Sequence, residues 1–142
     1  MISKNNPHWF DDMTYGPTHI GNNIYMMSEV EKEEDEVDKE KGPVASLGHL
    51  LYLNENPVGH LRFNINEDKK RLNILNIKID DPNLWDKGHG YNYLDLLLKE
   101  AKKAGCKEAY SDWVSDDNIR SIKLMKKLGF KKVAEETWCK KI

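Results

Sequence analysis

Apolar residues recur at helical spacing in the stretch that follows Gly90. They stand at i, i+3, i+4 and i+7, which is the period of one helix face: Leu94, Leu97, Leu98 and Ala101. The outer side is polar, because it holds Lys99, Glu100, Lys102 and Lys103. The pattern predicts an amphipathic helix over Tyr91 to Ala104 that ends at Gly105.

A second amphipathic helix is predicted between Asp117 and Gly129. Its inward positions are apolar and its outward positions are basic: Ile122, Met125 and Leu128 against Arg120, Lys123, Lys126 and Lys127. The carboxylate of Asp117 is suited to cap the free N–H groups at the start of this helix.

Alternating apolar and polar residues predict strands over Ala45 to Leu53, Val58 to Asn66 and Leu72 to Ile79. The turn composition of Asn54 to Pro57 joins the first two strands as a hairpin. In the third, one face is expected to hold Leu75, Ile77 and Ile79. Further short strands are expected at Glu108 to Val114, Phe130 to Ala134 and Thr137 to Ile142.

The first 43 residues carry weaker signals. Residues 1–22 read as an irregular arm because proline and glycine stand among polar and aromatic residues. Asn23 to Val30 is a candidate first strand. Glu31 to Lys41 is an acidic tract, which we interpret as a solvated helix or loop; the alternative is an electrostatic funnel for a cationic substrate. The remainder, 44–142, is expected to form the core of one domain spanning 1–142.

Composition narrows the classes of function. A net charge of −2 over 142 residues argues against a dedicated nucleic-acid binder. Neither a secretory h-region nor a run of membrane-spanning length is visible. Cys106 and Cys139 form no disulfide framework, so reduced thiols in a cytoplasmic protein are expected. The five histidines lack the close spacing of zinc sites, and no metal is predicted.

Candidate chemistry centres on the turn from Trp85 to Gly90, between a predicted strand and a predicted helix. The first N–H groups of a helix lack intrahelical partners, and the helix dipole adds positive potential there. Gly88 and Gly90 lack a Cβ, which would let a bulky diphosphate approach the backbone. The order of elements therefore predicts a site for a phosphorylated ligand.

The chain resembles the GNAT superfamily of acyl-CoA N-acyltransferases over about Val44 to Ile142, on two motifs. Lys87-Gly88-His89-Gly90 resembles the family's diphosphate loop, with Trp85 in its Arg/Gln position, as in the branch of ribosomal-protein N-terminal acetyltransferases. Asn118 to Phe130 is similar to the family's second motif, with Ser121 in its alanine position.

The resemblance implies a mixed α+β fold, with a mostly antiparallel twisted sheet, flanking helices and a splayed parallel strand pair that holds acetyl-CoA. The splayed strands would be Leu72 to Ile79 and Glu108 to Val114. Backbone groups of Ile77, Lys78 and Ile79 would pair with the pantetheine arm. The implied diphosphate and pantetheine contacts complete the cofactor set: Lys87, Gly88, His89, Gly90, Tyr91, Asn118 and Ser121.

Two departures from the family pattern concern proton transfer. Met125 stands where the family often has a tyrosine that protonates the leaving thiolate, and Trp113 stands where the N-terminal acetyltransferase branch often has a glutamate base. No catalytic residue is singled out among the conceivable substitutes: Tyr110, Asp112, Tyr91, Tyr93 and His60. Trp113 and Trp138 could wall the acceptor site, although core packing is the simpler interpretation.

The function implied is transfer of an acetyl group from acetyl-CoA to a primary amine, on a peptide or protein N-terminus or on a small molecule. The alternative is a non-catalytic acyl-CoA-binding or protein-interaction module, which the changes at Met125 and Trp113 favour. An unrelated nucleotide-binding α/β domain would need a buried parallel sheet, and the alternating hairpin over 45–66 argues against one.

Overall fold

The computed structural model describes residues 17–34, 45–66, 68–111, 114–115 and 117–142. Within them, eight strands form one sheet in the order β1-β2-β3-β4-β5-β6-β8-β7. The strands are β1 Thr18–Ile20, β2 Asn23–Glu34, β3 Ala45–Leu53, β4 Asn56–Asn66, β5 Arg71–Ile79, β6 Glu108–Ser111, β7 Lys131–Ala134 and β8 Thr137–Lys141. The helices are α1 His89–Lys103 and α2 Ile119–Leu128, with a 3-10 turn at Pro82–Leu84.

The pairing is antiparallel except between β5 and β6, which run parallel. The expected mixed α+β fold, mostly antiparallel with one parallel pair, is confirmed. α1 supplies the connection that a parallel pair requires, since it joins the end of β5 to the start of β6.

The core lies between one face of the sheet and the two helices. The apolar stripe predicted for the first helix is buried as expected, with Leu94, Leu97, Leu98 and Ala101 each at most 5% exposed. Sheet residues from β2 to β6 pack against it, including Tyr25, Leu61, Phe63 and Ile74. Burial of this apolar surface is the main term that stabilises the fold.

The face predicted for β5 is wrong in its first half. Phe63 of β4 pairs with Ile74, but Arg62 pairs with Asn76, so Leu75 is an extra residue in a β-bulge. A bulge changes which side chains point to a given face. Leu72 and Ile74 are therefore fully buried in the core, and Ile77 joins their face only after the bulge.

The N-terminal prediction is also corrected. Thr18–Ile20 is a strand rather than part of an irregular arm, and β2 runs four residues beyond Val30 to Glu34. The start of the acidic tract, 31–34, therefore pairs with β3 instead of forming a solvated helix or loop. The rest of the tract, 35–41, lies outside the described residues.

Two backbone features constrain β4, one at its turn with β3 and the other at its contact with β5. Asn54 and Glu55 both have positive φ, as a two-residue hairpin turn requires. Gly59 of β4 lies so close to β5 that a Cβ built on it would overlap the carbonyl oxygen of Lys78. A side chain at position 59 would therefore push β4 and β5 apart next to Ile79, the partner of Gly59 and the last residue of β5.

Candidate functional site

A cleft opens where β5 and β6 separate. Their pairing ends at Ile74 and Ser111, whereas β5 continues to Ile79. On the other side, the N–H of Val114 donates to the carbonyl of Glu136 at 3.3 Å, so the chain after β6 stays with the β7–β8 hairpin. β6 itself ends at Ser111, short of the predicted Val114, and the last residues of β5 keep a free edge toward the cleft.

The cleft has a volume of about 430 Å³ and lies between β5, the first turn of α1 and one side of α2. All residues predicted to bind the cofactor, except Lys87, line it: Ile77, Lys78, Ile79, Gly88, His89, Gly90, Tyr91, Asn118 and Ser121. The two sequence motifs, about 30 residues apart along the chain, thus form opposite walls of one cavity. Their role in binding a cofactor stays a prediction.

Along the end of β5, the backbone N–H and C=O groups of alternate residues face the cleft. The N–H of Asp80 donates to the carbonyl of Val58 at 2.9 Å, so Asp80 faces β4. Because N–H and C=O groups alternate sides along a strand, Lys78 also faces β4, and Ile77 and Ile79 face the cleft. Lys78 therefore contributes its side chain to the cleft rather than its backbone groups.

α1 begins at His89, two residues before the predicted start, and its N-terminus points into the cleft. Gly88 is the N-cap with φ +85°, and no side chain caps this end of the helix. A Cβ on Gly88 would meet no atom within 4 Å, whereas one on Gly90 would lie 3.6 Å from Leu124, an ordinary contact. Gly88 is thus required by its backbone conformation, and crowding within the protein requires neither glycine.

A buried hydrogen-bonded cluster holds the first turn of α1 against β2. The Tyr25 hydroxyl lies 2.8 Å from His89 Nδ1 and accepts a hydrogen bond of 2.8 Å from the side-chain amide of Asn92. Burial, and then the nearby charge of Lys87, lower the pKa of His89 below its usual value. Sequence analysis missed Tyr25, because 64 residues separate it from His89 and no local pattern links them.

Trp85, in the family's Arg/Gln position, closes the outer end of the β5 edge. Its indole N–H donates to the carbonyl of Ile79 at 2.7 Å. The guanidinium of Arg120 lies 4.3 Å from the centre of a Trp85 ring, and its Nε lies 3.2 Å from Asp86 Oδ1. The loop before α1 is therefore joined to α2 across the cleft.

The N-cap of α2 is Asn118, and the prediction of Asp117 is wrong by one residue. Asn118 Oδ1 accepts a hydrogen bond of 3.1 Å from the N–H of Ser121. Asp117 is exposed, and its side chain caps no helix N–H. Asn118 and Ser121 both line the cleft, so capping leaves the Asn118 side chain at its wall.

The positions considered for proton transfer differ widely in burial. Met125 is fully buried, and Trp138 is 6% exposed within the core, so the core interpretation of Trp138 is confirmed. Trp113 and Asp112 lie outside the described residues. Tyr93 is fully buried and donates to the Tyr52 carbonyl at 2.6 Å, and burial raises its pKa further above the usual value. Of the conceivable substitutes that the structure describes, Tyr91 alone lines the cleft.

The cleft is cationic although the chain is slightly acidic. Among the described residues that line it, four are basic and one is a carboxylate, which gives a local charge of +3 against −2 for the whole chain: Lys78, Arg120, Lys123, Lys127 and Asp86. Charge of one sign concentrated in a cleft raises the local concentration of oppositely charged ligands. The site is therefore suited to a polyanion.

The model of the acetyltransferase (GNAT) family matches residues 10–130, and the chain belongs to this family. An uncharacterised protein of Methanocaldococcus jannaschii is 41% identical over 68 residues, which are 48% of this chain and 13% of that protein. The PaiA N-acetyltransferase of Thermoplasma acidophilum, solved in complex with coenzyme A, is 21% identical with a TM-score of 0.59, covering 68% of this chain and 61% of that one.

The ribosomal-protein-S18-alanine N-acetyltransferase of Escherichia coli is also 21% identical with a TM-score of 0.59, covering 68% of this chain and 69% of that one. At this level of identity, both structures are evidence for a shared fold. The chain thus spans a small part of the curated relative and under two thirds of the PaiA enzyme. In the described ranges, neither helix has the length and hydrophobicity needed to cross a bilayer.

Proposed function

We propose that the chain binds acetyl-CoA in the cleft between β5 and α2 and transfers the acetyl group to a primary amine. The observation that carries the proposal is the meeting of three features in one cavity. The free edge of β5 offers Ile77 and Ile79, the uncapped N-terminus of α1 offers backbone N–H groups, and the described side chains of the walls carry a net charge of +3. These three features match three properties of coenzyme A, in the same order: an amide-bearing arm, a diphosphate and a high negative charge.

The cofactor's contacts follow from the groups that the cleft presents. The diphosphate accepts hydrogen bonds from the backbone amides of Lys87 to Tyr91, and each charge-assisted hydrogen bond contributes about 1.5–3 kcal/mol. The pantetheine amides pair with the backbone of Ile77 and with the N–H of Ile79, while the Ile79 carbonyl keeps its bond to Trp85. Asn118 and Ser121 close the opposite wall.

The reaction is direct attack of a neutral amine on the thioester carbonyl. The new C–N bond forms first and puts negative charge on the carbonyl oxygen, the C–S bond then breaks and the thiolate leaves with its electron pair, and the amine proton passes to water, from which the thiolate regains one. The protein contributes positioning and backbone hydrogen bonds to the developing oxyanion. Met125 carries no transferable proton. A thiol pKa near 8.5 makes the thiolate a tolerable leaving group without a strong acid.

The nature of the acceptor follows from the cost of deprotonating it. Without a dedicated base, neutralising a lysine amine of pKa about 10.4 at pH 7 costs roughly 4.6 kcal/mol, against about 1 kcal/mol for an α-amino group. We therefore propose a weakly basic amine, such as a peptide N-terminus, as the acceptor. Rates on matched α-amine and ε-amine peptides should favour the α-amine most strongly near pH 7. A preference for the ε-amine would contradict this proposal.

Two matched glycine variants test cofactor binding. Gly88→Val and Gly21→Val introduce the same side chain at positive φ, and neither Cβ would meet an atom within 4 Å. Gly21 lies in the β1–β2 turn and not in the cleft. Titration with coenzyme A should show saturable binding that only Gly88→Val weakens. No saturable binding by the unaltered chain, or equal binding by both variants, would refute the proposal.

The second candidate is a CoA-binding module without transferase activity, favoured by the full burial of Met125. A measurement of thiol release distinguishes this module from a transferase. The unaltered chain is incubated with acetyl-CoA and a panel of peptide and small-molecule amines. Release of free CoA that depends on the amine supports the transferase. Tight CoA binding without release on any amine supports the module.

A further inference from the structure

A buried hydroxyl lies at the point where β5 and β6 stop pairing. Ser111 is the last residue of β6 and the partner of Ile74, at which the pairing of β5 with β6 ends. Ser111 is 0% exposed, and its Oγ makes no hydrogen bond within the part of the chain that the structure describes. A buried hydroxyl without a partner lowers the stability of a fold, so this position calls for an explanation.

The surroundings of Ser111 are apolar. The neighbouring strands place Ile74 on one side of it and Trp138 on the other, and both residues belong to the buried core. Side chains alternate along a strand, so Ser111 shares the face of Ala109, which packs in the same core as α1 and α2. Packing alone would therefore be served better by an alanine at this position than by a serine.

Ser111 also lies at the inner end of the cleft. The N-terminus of α1 is at the outer end, near Ile79, whose carbonyl binds the indole of Trp85. Ile79 and then Ile77 line the cleft along the free edge of β5, and the two strands close at Ile74 and Ser111. An arm that follows this edge from a diphosphate at α1 is therefore directed toward Ser111.

We propose that the Ser111 hydroxyl donates a hydrogen bond to the sulfur of the thioester as this sulfur departs. The inference rests on the proposed function, because it names the group that receives the leaving thiolate. A serine side chain has three staggered positions about χ1, so Oγ can turn toward a group between the strands without movement of the backbone. The hydroxyl keeps its own proton, and the thiolate takes its proton from water, as in the proposed reaction.

The sulfur is the thioester atom that still needs a donor. In the proposed reaction, backbone N–H groups serve the carbonyl oxygen, and the fully buried thioether of Met125 has no proton to donate. Negative charge develops on the sulfur only as the C–S bond breaks, so a hydroxyl there stabilises the transition state more than the bound thioester. Its loss should therefore lower kcat and leave the affinity for acetyl-CoA almost unchanged.

A stability measurement tests the premise that the hydroxyl is unpaired in the fold. Ser111→Ala removes an unpaired polar group from an apolar setting, so the midpoint of urea unfolding should stay the same or rise. A lower midpoint would show that the hydroxyl is bonded within the folded chain, and this would overturn the proposal.

The thiol of bound coenzyme A reports the contact without any turnover. Its ionisation is followed by ultraviolet absorbance, with desulfo-coenzyme A as the blank, so that the titrating groups of the protein cancel. The control is Ser28→Ala, the same change at a half-buried position of β2 outside the cleft. In the unaltered chain and the control, the bound thiol should titrate about one pH unit lower than in Ser111→Ala. Lys78, Lys123 and Lys127 are present in all three proteins, so their effect on the thiol cancels.

Turnover supplies the second readout. With acetyl-CoA and an accepted amine, Ser111→Ala should lower kcat about tenfold or more and change KM for acetyl-CoA by less than about twofold. An identical thiol titration in all three proteins, or a change in KM alone, would overturn the assignment of Ser111 while cofactor binding stands. Failure of the unaltered chain to bind coenzyme A would overturn the proposed function and this inference together.

Discussion

The hydroxyl of Tyr25 lies 2.8 Å from His89 Nδ1, joining the second strand to the first turn of α1. The same oxygen accepts from the Asn92 amide, so one hydroxyl serves two side chains of this turn. β2, which is distant in sequence, therefore holds the first turn of α1, whose amides face the cleft.

Removing that hydroxyl should destabilise the fold. Tyr25→Phe leaves the His89 and Asn92 groups without their shared partner in a buried setting, which costs about 1–3 kcal/mol. Tyr52→Phe is the control, because the Tyr52 hydroxyl has no hydrogen-bond partner within the described ranges. Urea unfolding should show the loss for Tyr25→Phe and less than about 0.5 kcal/mol for the control. Equal losses would contradict this interpretation of the cluster.

His49 should make the fold sensitive to acid. It is 1% exposed and stacks on Phe63, and burial lowers its pKa from 6.5 to about 4. The folded state therefore resists a proton that the unfolded state accepts. Stability is complete above pH 6.5 and falls as pH drops toward 4, by about 2–3 kcal/mol at pH 4.5.

The His49→Phe variant isolates this contribution, since the substituted ring retains an aromatic contact and cannot titrate. Other carboxylates and histidines titrate in both proteins and cancel in the difference. Unfolding free energies measured at pH 7.5 and pH 4.5 should fall further for the unaltered chain by about 2–3 kcal/mol. An identical fall in the two proteins would show that His49 is protonated as readily in the folded state as in the unfolded one.

A single methyl group should separate β4 from β5. Gly59→Ala places its Cβ against the Lys78 carbonyl oxygen, and backbone atoms can yield only by moving the strands apart. We expect a loss of about 3 kcal/mol or more, or failure to fold. Gly90→Ala makes the same chemical change in α1 with an ordinary 3.6 Å contact, and should be neutral or stabilising by about 0.5–1 kcal/mol. Thermal and urea unfolding measure both, and tolerance of Gly59→Ala would contradict the close approach.

Trp85 should contribute to the stability of the fold through two contacts that different substitutions can separate. Trp85→Phe removes the indole N–H that binds the Ile79 carbonyl, at a cost of about 1 kcal/mol, but keeps an aromatic ring beneath Arg120. Trp85→Leu removes both contacts. In double-mutant cycles with Arg120→Gln, Trp85→Leu should show a coupling energy of about 0.5–1 kcal/mol because it removes the ring contact, and Trp85→Phe should show almost none because it keeps that contact. No coupling in the Trp85→Leu cycle would show that Asp86, and not the Trp85 ring, holds Arg120.

Local periodicity was enough to predict the elements that build the site. The stripe from Leu94 to Ala101 predicts α1 because burial repeats every turn of a helix. The two motifs around Gly88 and Asn118 lie on opposite walls of the cleft, as the resemblance implies. Gly129, which ends α2 at φ +91°, likewise follows the rule for helix C-termini.

The features that sequence analysis missed depend on contacts between residues far apart in the chain, or on a choice between two adjacent residues of similar propensity. The bulge at Leu75 breaks the two-residue period, and β4 imposes it through pairing that no local window contains. Asp117 and Asn118 are both good capping residues, so propensity alone could not choose between them. The glutamates of 31–34 have low strand propensity, but pairing with β3 overrides it. Tyr25 meets His89 only through the folded sheet.

The short first strand has a consequence for self-association. β1 covers β2 only as far as Tyr25, so residues 26–34 have no strand on their outer side within the described ranges. Such an edge could recruit a second chain and extend the sheet into an aggregate. Four of these nine residues are glutamates: Glu29, Glu31, Glu33 and Glu34. Two copies aligned along this edge would bring like charges together, so the acidic tract that begins here discourages fibril-like growth.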